Sequence, residues 1–467
     1  MTPPDLTSRL RAIVRPSRPS GTAPSGGRRE LTYEPEDGRT YEANRDLDRL
    51  ASALGGRWLT NDFGQCLVID RRYESDRWHG DVRIGDCELD DLGSLRLLDP
   101  ALQLDEPGTS QNDAEPDGTR TSPDPVEPGR TPPNPVFIDL ETTGVSGGAG
   151  TVAFLVGCGY FDLGAFQIRQ FLLTSYNAER ALLAAVAELF GDADLIVTYN
   201  GKTFDVPVME TRWAFHRMRP PLDEVPHFDM LHPARRLWRS RSAAADEGGC
   251  RLTTLERALL NMRRVGDVDG FEIPGRFFQF LRTADPRPLE PVLEHNRLDL
   301  VSLAALTSHA LRLTAGGESA CRDGREALAV GRVLERAGRL ERAEACYARA
   351  VEARCIETRA EALYRLGLRC RRDRRYGEAA ARWRDLLALT DTAARRYDHV
   401  FGTLRQFALE ALAIHHEHRS RDLDAARELA LFALDGDDRS ARAGGMRHRL
   451  ARLDRKLARK QNAQLFS

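Results

Sequence analysis

Three separate stretches of this chain carry side chains that could together work on a phosphodiester. They are Asp139 and Glu141 in "FIDLETTG", Asp205 at the end of "TYNGKTFD", and His295 with Asp299 in "EHNRLDL". Asp139 and Glu141 stand two apart behind the apolar Val136, Phe137 and Ile138. On a strand that spacing points both carboxylates to one face, where their mutual repulsion calls for a cation, a proton or a basic partner. Taken alone the pair is a weak signal, since Asp86/Glu88 and Asp113/Glu115 repeat it, and a solvated strand end would explain it as well. Asp205 follows the apolar run Leu195, Ile196, Val197, at what would be the carboxyl end of a second strand, where open α/β sheets gather ligands. A helix N-cap is the plainer reading of that aspartate. His295 and Asp299 are four apart and so share a helix face, which could be no more than a surface hydrogen bond.

Read jointly, Asp139, Glu141, Asp205 and Asp299 form a set of hard oxygen donors suited to Mg²⁺ or Mn²⁺. Two such ions about 4 Å apart can clamp the attacking and leaving oxygens of an in-line phosphoryl displacement. His295 would then accept the proton of the attacking water. Contact with substrate falls to Thr142, Asn200 and Lys202. The last is notable because the chain has 68 Lys+Arg, of which only Lys202, Lys456 and Lys460 are lysines. A flexible ammonium in a turn suits a phosphate, and Gly201 beside it would let the backbone pass close to the site.

These residues need a scaffold, and the periodicity supplies one. Residues 136–141, 151–161, 165–173 and 194–200 read as strands, with 227–231 as a fifth. Residues 177–190 read as an amphipathic helix with Asn177 as its cap, a second helix starts near 204, and a long one spans 289–313. Strands in succession and then alternating with helices predict an α/β sheet with a hairpin-type start. Upstream, "RWLTNDFGQCLVIDRRY" (57–73) reads as a hairpin turning at "NDFG".

The blocks "FIDLETTG", "YNGKTFDVPVMETR", "HFDMLHPARRLW", "RLTTLERALL" and "EHNRLDLVSLAAL" together resemble the YprB-type ribonuclease H-like family, which is related to the DEDD 3′–5′ exonucleases. The resemblance covers roughly residues 135–315. It implies a ribonuclease H-like mixed five-stranded sheet with flanking helices, metal ligation by Asp139, Glu141, Asp205 and Asp299, and a following tetratricopeptide segment. In DEDD exonucleases the base is a tyrosine four residues before the last Asp or a histidine five before it. Here His295 is a histidine at the tyrosine spacing.

After residue 316 strand patterns end. Segments 327–353 and 363–389 match at an offset of 36 residues, with Ala343 opposite Ala379 and Tyr347 opposite Trp383, near the tetratricopeptide period of about 34. A weaker third unit covers 407–434. The expected organisation is a disordered basic tail (1–30), a small α+β module (31–103), a disordered linker rich in Pro, Gly, Asp and Thr (104–134), the ribonuclease H-like domain (135–315), tetratricopeptide-like repeats (316–436) and a basic C-terminal helix or tail (437–467).

A chain that is 41% hydrophobic and 30% charged, with no apolar run of membrane length, points away from a membrane. The start has no apolar h-region, so a secretory signal is not expected. Eight scattered cysteines with no CxxC pair argue against zinc and fit a reducing cytoplasm. The expected function is a metal-dependent 3′–5′ exonuclease on single-stranded DNA or RNA ends. The competing expectation is a nucleic-acid-binding scaffold without turnover that docks a protein partner through its repeats.

Overall fold

The computed structural model of the chain describes residues 47–89, 91–104, 134–144, 150–243, 249–435 and 441–465. The expected tail 1–30 lies outside these residues, as does the expected linker apart from residues 104 and 134.

One mixed sheet organises the ribonuclease H-like region. Its strands are β1 (Arg57–Asn61), β2 (Gly64–Tyr73), β3 (Pro135–Thr142), β4 (Ala153–Asp162), β5 (Ala165–Leu172), β6 (Leu195–Thr198) and β7 (His227–Asp229), in the order β1-β2-β5-β4-β3-β6-β7. β3, β4 and β5 form an antiparallel meander, while β6 runs parallel to β3 and β7 parallel to β6. These are the five strands expected from the sequence. The hairpin β1–β2 then extends the sheet to seven, β2 pairing antiparallel with β5 from Leu67↔Leu172 to Tyr73↔Phe166.

The separate module expected at 31–103 is therefore not separate in its described part. Cys66, Leu67, Val68 and Ile69 are buried in the same core as β3 and β4. The physical reason is that the outer edge of β5 would otherwise leave backbone groups unpaired, and β2, whose run Cys66–Ile69 is buried throughout, covers it.

Around the sheet lie α1 (Glu179–Gly191), α2 (Asp205–Phe215), α3 (Leu231–Ala243), α4 (Ile273–Thr283) and the long α5 (Glu290–Gly316). Asn177 does not cap α1; a 3₁₀ turn (Tyr176–Ala178) precedes it and the capping position is Ala178. Strand alternation splits β3 between two cores. Val136, Ile138 and Leu140 face α1, α2 and α4, whereas Phe137 faces α3 and α5. α1 and α2 are tied together at their buried surfaces by Arg212, whose Nε and Nη2 donate to the two oxygens of Glu179 at 2.5 Å each. His216 lies 2.8 Å from the same carboxylate.

Beyond α5 the described chain is helical: α6 (Gly324–Arg336), α7 (Leu340–Val351), α8 (Ile356–Arg372), α9 (Tyr376–His415), α10 (Leu423–Asp435) and α11 (Ala441–Leu465). The 36-residue repetition is present in the packing. A Cβ on Gly331 would lie 2.6 Å from the Tyr347 ring, and one on Gly367 would lie 2.1 Å from the Trp383 ring. Each hairpin thus seats an aromatic ring of its second helix on a bare glycine of its first. The third unit does not open on a new helix: its first part, 407–415, is the end of the 40-residue α9, and α10 supplies the rest. Residues 390–406 contain no proline and a lone glycine, Gly402, so nothing there stops a helix.

The array is not an independent body either. Ala327, Val330 and Tyr347 belong to the same buried cluster as Leu300 and Leu303 of α5 and Phe137 of β3. The basic α11 spends part of its charge locally, since Arg449, Arg452 and Lys456 all pair with the buried Glu417. Burial pushes that carboxyl up, but the hydrogen bonds from Arg452, Lys456 and Arg449 outweigh it and hold it down at about 2. Among the described residues no helix is long and apolar enough to cross a membrane.

Removing one partner of a buried ion pair leaves the other charge uncompensated. Arg212→Ala is therefore expected to lower unfolding free energy by about 3–5 kcal/mol, read from urea denaturation, while the paired change Arg212→Met with Glu179→Leu recovers most of it. A single-variant loss within about 0.5 kcal/mol, the ordinary range of a surface substitution, would show that the pair does not hold α2.

Candidate metal centre

Asp139 and Glu141 share the face of β3 that carries Phe137, which is the face turned toward α5. A bulge between Glu141 and Thr142 re-aims the end of the strand. Asp139 is held from both ends by one residue of α5. Asn296 Nδ2 donates to Asp139 O at 3.0 Å and to its Oδ2 at 2.8 Å. Asn296 Oδ1 in turn accepts from Gln170 Nε2 at 2.8 Å, and the same nitrogen donates to Leu293 O at 2.8 Å. Asp139, Gly157 and Gln170 lie in register across β3, β4 and β5. Asn296 sits on the middle position, where a Cβ on Gly157 would come within 2.2 Å of its Oδ1.

Asp205 is delivered by the turn that leaves β6. Asp229, at the end of β7 and 2% exposed, organises that turn. It accepts the backbone N–H of Asn200 (2.8 Å), Lys202 (3.1 Å) and Leu231 (3.0 Å). Asn200 takes a left-handed conformation, φ 71°, which asparagine tolerates better than most residues. A Cβ on Gly201 would lie 2.4 Å from that of Thr198, so only glycine lets the chain fold back here. Asp205 is the first residue of α2 and not its cap, a position held by Phe204 without any side-chain bond.

The four carboxylates feel one another. Burial and then the charges of Asp299, Glu141 and Asp205 push Asp139 well above the ordinary carboxylate range. Glu141 is raised likewise by burial, Asp299, Asp205 and Asp267. Burial, Asp229 and Asp299 push Asp205 up to about 7. Asp299 is raised by burial although Arg264 and His295 oppose the shift. Strand, turn and late helix thus bring the predicted acids together, and His295 joins them. Its Nδ1 lies 2.6 Å from Asp267 Oδ1 and its Nε2 lies 3.6 Å from Asp299 Oδ2.

The substrate candidates stand differently. Thr142 Oγ1 donates to Gly144 O at 2.8 Å. Lys202 Nζ reaches Asp99 Oδ2 at 3.3 Å, so its ammonium is turned toward the segment before the linker and not toward the acids.

Sequence reasoning missed several participants. Arg264, with a side chain 6% exposed, pairs with both Asp299 and Glu256. Asp267 backs His295, Asn296 clasps Asp139, and Asp229 builds the turn. Asn296, Asp229 and Glu256 lie inside the blocks "EHNRLDL", "HFDML" and "RLTTLERALL", so their positions were visible while their roles were not. Arg264 and Asp267 sit in an irregular loop with no pattern to announce them.

Among the described residues, no group of three or more His, Cys, Asp or Glu side chains is set as a ready metal cage. The Arg264 guanidinium stands against Asp299, and the Asn296 amide holds Asp139. The donor set itself fits a hard divalent cation, being four carboxylates whose shared repulsion such an ion relieves.

If Asn296 is seated by the missing side chain at position 157, Gly157→Ala should cost about 1–3 kcal/mol in denaturant unfolding through overpacking. Gly275→Ala in α4, where the added methyl meets nothing within 4 Å, should be neutral or stabilising. Equal midpoints for the two variants would remove the clasp from the account.

A family model and a relative in sequence agree with this architecture. A family model of the RNase_H superfamily matches residues 136–311. Protein YprB of Bacillus subtilis (strain 168) is 32% identical over 327 residues, covering 69% of this chain and 75% of YprB. Among solved structures, the family B DNA polymerase from the hyperthermophilic archaeon Pyrobaculum calidifontis aligns with a TM-score of 0.32 and 14% identity, over 46% of this chain and 30% of the polymerase. Identity at that level across most of YprB, with the superfamily match spanning β3 to α5, places the chain in the YprB-type ribonuclease H-like family.

Proposed function

We propose that the protein is a divalent-metal-dependent nuclease and, within that class, a 3′–5′ exonuclease acting on single-stranded DNA or RNA ends. The observation that supports this reading is the placement of four acids from distant parts of the chain near one another, with Asn296 of the helix that carries Asp299 bonded to Asp139, so that each acid is pushed above its ordinary range by burial and Asp139, Glu141 and Asp205 also by neighbouring acids. They would hold Mg²⁺ or Mn²⁺, two ions that when bound supply positive charge to the phosphodiester oxygens and align the attacking water.

His295 is the proton acceptor in this reading. Asp267 accepts from its Nδ1 at 2.6 Å, which fixes the ring and leaves Nε2 as the basic atom on the Asp299 side. Asn296 keeps Asp139 from rotating away, and Asp229 keeps the turn from lifting Asp205 out. Asn200, Thr142 and Lys202 are the substrate contacts, Lys202 exchanging Asp99 for a phosphate.

A second reading, a nucleic-acid-binding scaffold without turnover, draws support from Arg264, which already neutralises Asp299 and Glu256 from within the protein.

End-labelled single-stranded oligonucleotides separate the two. With Mg²⁺ or Mn²⁺ the chain is expected to shorten them from the 3′ end, and EDTA to stop it. Asp139→Asn and Asp205→Asn should lower the rate about a thousandfold, a loss of several kcal/mol of transition-state stabilisation. His295→Ala should lower it about a hundredfold or more. Wild-type rates from Asp139→Asn end the enzymatic reading, and binding without shortening selects the scaffold.

A further inference from the structure

Between α3 and α6 lies a groove of about 720 Å³ walled by six arginines: Arg235, Arg236 and Arg239 from α3, and Arg325, Arg332 and Arg336 from α6. Against them stand two acids of α8, Glu357 and Glu361, and Arg332 pairs with the latter. Arg236 donates to Leu98 O at 2.6 Å, so part of the wall is built into the fold. Six arginines of two helices face a space whose described lining holds two acids, an excess of positive charge that works against packing and suits an anion. Arg236 registers the conflict, since burial and the neighbouring Arg336 push its guanidinium below its ordinary range.

The groove continues toward the carboxylates. Arg235 and Arg239 also line a second recess of about 450 Å³, together with Arg251, Tyr199 and Asn200, and among the described residues lining it none is an acid. Tyr199 and Asn200 begin the turn that delivers Asp205. Arg251 then borders a third recess of about 710 Å³ that holds Arg264, Asp267 and His295. The first two cavities share Arg235 and Arg239 and the last two share Arg251, so they adjoin one another from the helical array to His295. Guanidinium forks match phosphate oxygens bidentately.

We propose that this run of cavities binds the sugar–phosphate backbone of a single-stranded nucleic acid and leads its end from the groove between α3 and α6 to the carboxylate site. The nuclease reading supplies the identity of the polymer. The charge pattern supplies the path. The helical array becomes part of the substrate site, because three of the six groove arginines belong to its first helix.

The test is equilibrium binding of fluorescent single strands of roughly 20 and roughly 5 nucleotides, in EDTA, across a salt series. Each phosphate that the protein ceases to neutralise takes about 0.7 off the log–log salt slope of a single strand. The variant Arg235→Ala, Arg239→Ala, Arg336→Ala should therefore flatten the slope for the long strand by about 2 and weaken its binding about tenfold to a hundredfold at low salt. The short strand should lose much less. The corresponding triple Arg→Lys variant should recover most of the slope, which separates the effect of charge from a damaged fold. Removing Arg455, Arg459 and Lys460, exposed on α11, should leave the slope nearly unchanged.

An unaltered slope in the groove variant overturns the proposal. So does polyglutamate binding as tightly as the oligonucleotide with the same sensitivity to the groove variant, since that marks an acidic protein as the occupant. A flattened slope in a protein that cleaves nothing would uphold the path and sink the nuclease reading. Cleavage with an unaltered slope would do the reverse.

Discussion

The candidate site depends on one seating contact, the amide of Asn296 pressed onto the bare backbone of Gly157. That contact fixes how closely α5 approaches the sheet. It ties Asp139 to Gln170 across three strands, and it sets the height at which Asp299, three residues further along α5, meets the acids of β3. Carboxylates that raise one another's proton affinity would drift apart on a loose scaffold. Here each is fixed by an element with its own reasons for being where it is: a buried strand, a turn gathered around Asp229, and a helix whose later residues share a core with the array.

Two features outside the four acids tune the site. Arg264 brings a positive charge against Asp299 and Glu256, so the acids are partly compensated before any ion arrives. Asp267 orients His295 from the side away from Asp299. The same region opens onto the arginine-lined recesses, so negative potential at the acids gives way to positive potential along the path leading to them. That gradient suits a polyanion whose reacting end must sit among carboxylates.

Much of this was legible in the sequence. Alternation in "VFIDLE" put Asp139 and Glu141 on one face, and the run before "TYNGKTFD" put Asp205 at a strand's carboxyl end. Helical spacing put His295 and Asp299 together. Repetition at 36 residues located the glycine–aromatic hairpins. What stayed hidden was tertiary. Periodicity says which face a residue takes but not which strand edge needs covering, so the hairpin 57–73 passed for a separate module. It says nothing of loops, so Arg264 and Asp267 went unseen. Lys202 stood out by composition, yet its ammonium meets Asp99, a partner about a hundred residues away that no local pattern reveals.

The proposed seat for divalent cations is made by Asp139, Glu141, Asp205 and Asp299 together. Isothermal titration of the chain with Mn²⁺ addresses it without reference to any substrate. Saturable binding is expected, lost in Asp139→Asn and in Asp205→Asn while both variants stay folded. Binding that persists undiminished in these variants, or no binding by the unaltered protein, would contradict it.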